Sequence, residues 1–130
     1  MNAPRLLIEP LGTAKREDAG WRTTWRVTNL EAEAVRLVAA VAPHSLFRGE
    51  AALERDVRGK STTQFSLVVT IQGAPSSEID NAFVILLVVQ GEARWRVLAR
   101  LRVALEEAAR RPRPRVEAVT VQRVGFSGEL

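Results

Sequence analysis

The sequence has no cysteine, no tyrosine, one histidine and one methionine in 130 residues. The first absence excludes disulfides, thiol nucleophiles and cysteine-based zinc sites. With a single His, a transition-metal centre would have to be built almost wholly of carboxylates, so no metal is expected. There is no Gly-rich loop to cradle phosphate, so no cofactor is expected either. The longest apolar run, Ala82 to Val89, is less than half of what a membrane span needs, and no membrane partner is expected. The first residues, Met-Asn-Ala-Pro-Arg-Leu-Leu-Ile-Glu-Pro, hold no signal-peptide core. The default is a cytoplasmic protein, with a chain long enough to bury a core without staples.

The composition is ordinary for a globular chain, 46% hydrophobic and 26% charged, which argues against disorder. The net charge is only +4, and it is a local property. Residues 1–90 carry ten Lys and Arg against ten Asp and Glu, whereas residues 91–130 carry nine Arg against five acids.

Strand signals dominate. Arg5 to Leu11 reads as a short edge strand, because Pro10 cannot donate to a ladder. From Gly20 to Asn29 the chain alternates: Trp21, Thr23, Trp25 and Val27 fall on one face, and Arg22, Thr24, Arg26 and Thr28 on the other. Val35 to Val41 follows as a strand that Pro43 should stop. Residues 44–60 have no clear period, and Ala51 to Val57 suits either a helical turn or an edge strand. Ser61 to Gln72 places Phe65, Leu67, Val69 and Ile71 on one face. Gly73 to Asn81 is a loop by its turn residues.

The run Trp25-Arg-Val-Thr-Asn-Leu-Glu-Ala-Glu-Ala-Val35 resembles the corner between the second and third strands of bacterial immunoglobulin-like modules. There a strand ends in Val-x-Asn and a short turn leads into the next. The resemblance implies architecture only; the disulfide and the corner tyrosine of immunoglobulin domains are both absent.

The centre of the chain is a hairpin. Asn81 to Gln90 is apolar on both faces, Gly91-Glu92 suits a two-residue type II′ turn, and Ala93 to Val103 alternates apolar residues with arginine. That turn sets Val89 opposite Arg94, Leu87 opposite Arg96, and Ile85 opposite Leu98. One face is then Val84, Leu86, Val88, Trp95, Val97, Ala99 and Leu101, a core face. The other is Phe83, Ile85, Leu87, Val89 and Leu98, bordered by Arg94, Arg96, Arg100 and Arg102. A three-residue loop would instead move the arginines beside Val84, Leu86 and Val88. Either way the first strand is apolar on both sides, so its second face calls for a cover. Three covers are open: the chain's own C-terminal segment, a second copy, or another protein.

After the hairpin, Ala104 to Arg111 consists of good helix formers with Glu106/Arg110 and Glu107/Arg111 at i,i+4, and predicts a short helix. Pro112 to Arg115 reads as a linker and Val116 to Val124 as a last strand.

Other chemistry has weak support. His44, in Pro43-His44-Ser45, would serve a hydrolase only with a buried carboxylate beside it, and no Gly-x-Ser-x-Gly elbow occurs. Ser76 to Asn81 clusters oxygen atoms but lacks the density of a calcium loop. Arg-Trp-Arg at 94–96 invites a nucleic-acid reading. Strand parity, however, puts each tryptophan on the face opposite its arginines, so stacking and phosphate contacts would not share a surface. Arginines on a strand also serve simply to keep a sheet soluble.

The sequence thus predicts an all-β, immunoglobulin-like antiparallel sandwich of about seven strands with a short C-terminal helix and tail. Residues 1–111 would form the sandwich, and residues 112–130 a linker with a strand or tail packed on it or on a partner. The expected function is a non-enzymatic interaction module, a homodimer or a protein-binding unit, working through the face of Phe83, Ile85, Leu87, Val89, Arg94, Arg96, Leu98, Arg100 and Arg102. Nucleic-acid binding by the arginines and a hydrolase at His44 are the alternatives.

Overall fold

The computed structural model describes residues 3–15 and 20–125. They form eight strands: β1 Leu6–Lys15, β2 Trp21–Asn29, β3 Val35–His44, β4 Phe47–Val57, β5 Thr62–Ile71, β6 Glu78–Gln90, β7 Ala93–Leu105 and β8 Pro112–Arg123. They make one sheet in the order β1-β2-β5-β4-β3-β6-β7-β8, every neighbouring pair antiparallel. The ends of the sheet curl round until β1 lies beside β8. The result is a nearly closed barrel.

This corrects the seven-strand sandwich. What joins two would-be sheets is β5, which pairs with β2 along its length and with β4 at Phe47↔Ile71 and Arg48↔Thr70. At that join a Cβ on Gly49 would collide with the Val68 carbonyl, so only glycine lets β4 cross β5 this closely. Beyond Gly49 the two strands part. The Arg55 guanidinium bridges the opening by donating to the Gln64 carbonyl. The second gap is the seam between β1 and β8. Pro10, Pro112 and Pro114 line it, and since proline lacks an N–H, a ladder cannot zip across there. Arg111 spans it instead, its Nη1 donating to the Thr13 carbonyl at 2.7 Å.

The predicted helix is also corrected. Ala104 and Leu105 finish β7, and residues 107–110 form a turn closed by the Glu106 N–H donating to the Arg111 carbonyl at 3.0 Å. Ala109 and Arg110 both have positive φ, 62° and 56°, a left-handed geometry no α-helix contains. Eight helix-forming residues are too few to nucleate alone, and burying Val103 and Leu105 in the barrel outweighs their propensity. Glu106 pairs with Arg111 and Arg113, at 3.5 and 3.4 Å, rather than with Arg110. The expected linker at Pro112 is the start of β8, which pairs with β7 from Leu105↔Pro112 to Trp95↔Arg123.

The barrel interior is the core. Every second residue of β2, β5, β6 and β7 points inward, including Trp25, Phe65, Leu67, Leu86, Val97 and Leu101. Trp25 and Phe65 stack with centroids 6.4 Å apart. The few polar groups inside are mostly satisfied: Trp25 Nε1 donates to Thr23 Oγ1 at 2.8 Å, and that hydroxyl donates to the Leu67 carbonyl at 2.7 Å. Asn29 is fully buried where β2 ends. Its Nδ2 donates to the carbonyls of Glu33, Val57 and Arg58, and its Oδ1 accepts from the Glu31 N–H. One side chain therefore ties the β2–β3 turn to the end of β4, a role for Asn29 that the Val-x-Asn pattern alone does not disclose. The interior is apolar while most outer rows are polar, the reverse of barrels that cross membranes. Among the described residues no helix is long and apolar enough to cross one.

Candidate functional site

The β6–β7 hairpin has the register that the two-residue turn requires. Val89 faces Arg94, Leu87 faces Arg96, Ile85 faces Leu98 and Phe83 faces Arg100. Gly91 alone supplies the positive φ, 58°, as a type II′ turn needs. The inward row Val84, Leu86, Val88, Trp95, Val97, Ala99 and Leu101 is buried. The outward row Phe83, Ile85, Leu87, Val89 and Leu98 is half-buried.

The stripe continues onto β3. Val41 pairs with Ile85, and Ala39 pairs with Leu87. A bulge between Leu37 and Ala39 brings Val38 to the same groove, a hollow of about 370 Å³ lined by Val38, Leu87, Val89, Arg94, Arg96 and Val124, with Val88 and Trp95 at its edge. Sequence periodicity does not reveal Val38, because the bulge breaks the alternation of β3. The only signal is the unalternating run Leu37-Val-Ala-Ala-Val41.

Nothing among the described residues lies over this stripe. All eight strands are wall. The C-terminal cover fails for that reason: the helix does not exist, and β8 sits beside β7 in the plane of the sheet rather than above it. Residues 126–130, the end of the expected tail, lie outside the described residues.

The arginines divide into two pairs. Arg102 is held by Glu117 at 3.1 Å, Glu78 at 3.2 Å and Asp80 at 3.5 Å, and Arg100 lies 4.0 Å from Glu117. The Glu117 and then the Glu78 hydrogen bonds raise the Arg102 pKa above the ordinary arginine value. Arg94 and Arg96 have no carboxylate within 4.0 Å among the described residues. The groove end of the stripe is therefore its uncompensated positive flank.

The opposite flank is acidic, and residues 44–60 give no sequence-level sign of it. On β4, Glu54 and Asp56 reach Arg36 of β3 at 2.7 and 2.9 Å. The hydrogen bonds that Arg36 donates to Glu54 first, then to Asp56, raise its pKa. Two acids share one arginine, which leaves a negative excess. Asp56 pairs with Arg36, Arg36 with Val89, and Val89 with Arg94. One level of the sheet thus runs from Asp56 through Arg36, which leans to the acids, and Val89 to Arg94.

The other candidates are placed as follows. Trp21, Trp25 and Trp95 are buried at 5, 0 and 7% exposure, so none offers a ring face for a base to stack on. Arg123 lies over the Trp95 ring, 5.6 Å from its centroid. His44 is half-buried with its Nδ1 accepting the Leu46 N–H at 3.0 Å. That bond closes the β3–β4 turn, and no carboxylate hydrogen-bonds the ring among the described residues. Glu78 and Asp80, the oxygen ligands of the supposed calcium loop, are engaged by Arg102. No group of three metal-ligating side chains occurs among the described residues.

Comparison with protein-family models, curated proteins and solved structures found no match to this chain. The immunoglobulin-like resemblance of the β2–β3 corner is thereby neither supported nor opposed.

Proposed function

We propose that this protein is a non-enzymatic interaction module whose working surface is the outer face of β3, β6 and β7. One observation carries the reading: β6 is apolar on both sides, and its outward row remains half-exposed with no element above it. The outward rows of β2, β4 and β5 are mainly Arg, Glu, Thr, Ser and Gln, as a solvated barrel wall requires. A contiguous apolar stripe flanked by charge is the composition of an interface rather than of a solvated wall. A cytoplasmic location belongs to the same proposal and rests on the sequence alone.

The test is Leu87→Glu, which puts a charge at the centre of the stripe without touching the core. Light scattering should show the wild type assembling and the variant not, with the same thermal transition for both. A wild type that is monomeric at every concentration and gains mass with no other protein would contradict the reading. Of the four arginines on this face, Arg94 and Arg96 are the two left to the nucleic-acid alternative without a carboxylate within 4.0 Å among the described residues. That alternative requires salt-sensitive retention on DNA or RNA that Arg96→Glu removes.

A further inference from the structure

Resting on the interaction face just proposed, we infer that its occupant is a second copy of this chain. The two copies meet face to face about a two-fold axis running along β3 and β6, and Arg94 and Arg96 of each reach Glu54 and Asp56 of the other.

The charge pattern across the sheet selects this pairing. Moving from β4 through β3 and β6 to β7 at the groove end, the outer surface runs from acidic to apolar to basic. The acidic side carries Glu54 and Asp56 around Arg36, and the basic side carries Arg94 and Arg96. A half-turn about an axis parallel to the strands exchanges the two flanks and keeps every level in place. At the groove end it lays each basic flank on the other copy's acidic flank around an apolar centre, while at the far end Arg48 comes level with Arg100, which leans to Glu117. A half-turn about an axis across the strands would stack arginine on arginine and acid on acid, which costs rather than stabilises.

The same operation fits the shapes. Ala39 and Leu87 are register partners, so the half-turn seats each Leu87 over the other copy's Ala39, where the small side chain and the groove beside Val38 leave room. Ile85 likewise falls over Val41. A barrel wall is convex, so the gap between two copies widens away from the centre. Long side chains are suited to bridging that margin, and both flanks supply them. An interface made by one patch on itself is the usual form of a closed dimer.

A different protein would have no reason to mirror this pattern. A second copy does so by construction.

The experiment is charge exchange read by sedimentation and light scattering from micromolar to millimolar concentration. Arg94→Glu/Arg96→Glu should dimerise at least about tenfold more weakly than the wild type, and so should Glu54→Arg/Asp56→Arg. An equimolar mixture of the two should recover the wild-type dimer, because both charge contacts of the mixed pair are again of opposite sign. If Leu87→Glu abolishes the dimer but the mixture is not restored, the interaction face stands and this pairing is overturned. A wild type monomeric throughout overturns this pairing, and the interaction face falls with it only if the chain also gains no mass with another protein. Should Glu54→Arg/Asp56→Arg not fold, the absence of native cysteine gives a second route. A nitroxide on Arg96→Cys of an isotopically unlabelled copy, mixed with isotope-labelled wild type, should broaden the amide signals of Glu54 and Asp56 in the labelled copy more than those of Arg22 and Thr24 on β2. Equal broadening of the two sets would overturn the pairing.

Discussion

Leu87 stands opposite Arg96 in the β6–β7 ladder, and both point out of the barrel. A large aliphatic side chain and an arginine without a carboxylate partner thus share one outer site. The neighbouring levels of this face differ: Arg100 and Arg102, further along β7, are met by carboxylates of Glu117, Glu78 and Asp80. The pairing follows from the two-residue turn at Gly91-Glu92, since a one-residue slip would set Arg96 opposite Leu86 or Val88 and leave it on the other face from Leu87. Register therefore makes the face.

The fully buried amide of Asn29 makes four hydrogen bonds to backbone groups of two loops and β4. Asn29→Ala leaves buried carbonyls and an N–H without partners and should lower stability by about 2–4 kcal/mol. Urea denaturation with an unchanged m-value would establish it. A loss below about 0.5 kcal/mol would mean that water replaces the amide there.

Ala109 distinguishes the turn from the helix that its sequence suggests. In a helix, glycine at this position costs about 1 kcal/mol. At φ 62° it relieves a left-handed alanine, and Ala109→Gly should raise stability by about 0.5–1 kcal/mol. The sign of the change in melting temperature decides between them.

Gly49→Ala should destabilise by about 1–3 kcal/mol, because the added methyl meets the Val68 backbone rather than a movable side chain. Faster amide exchange should accompany it at Arg48 and Thr70, where β4 and β5 join. Unchanged exchange at those positions would show that the join does not depend on the close approach.

The hairpin and its two faces are legible in the sequence because period two runs unbroken through Arg94–Leu101 and the Gly91-Glu92 turn carries that register onto the wholly apolar Phe83–Val89. The inward rows of β2 and β5 are legible for the same reason. Closure is not, because an inward row looks alike in a sandwich and in a barrel. The difference is a contact at Phe47↔Ile71 between strands that are not hairpin partners. Residues 47–57 hide their strand behind a bulge and a left-handed Glu54, φ 47°, which shift the parity midway. With β4 hidden, its acids could not be placed beside the stripe, and only the basic half of the surface was visible. Ala104–Arg111 misleads for another reason: local propensity is a weak term, and the burial of Leu105 decides that segment.

The proposed surface is tested most directly by methyl NMR over a dilution series of the unmodified chain. Methyl groups of Val38, Val41, Ile85, Leu87 and Val89, on the outer stripe, should shift with concentration. Those of Leu37, Leu86 and Val97, in the barrel core, should stay fixed. Concentration-dependent shifts confined to other strands, or none at all up to millimolar protein, would contradict self-association through this face.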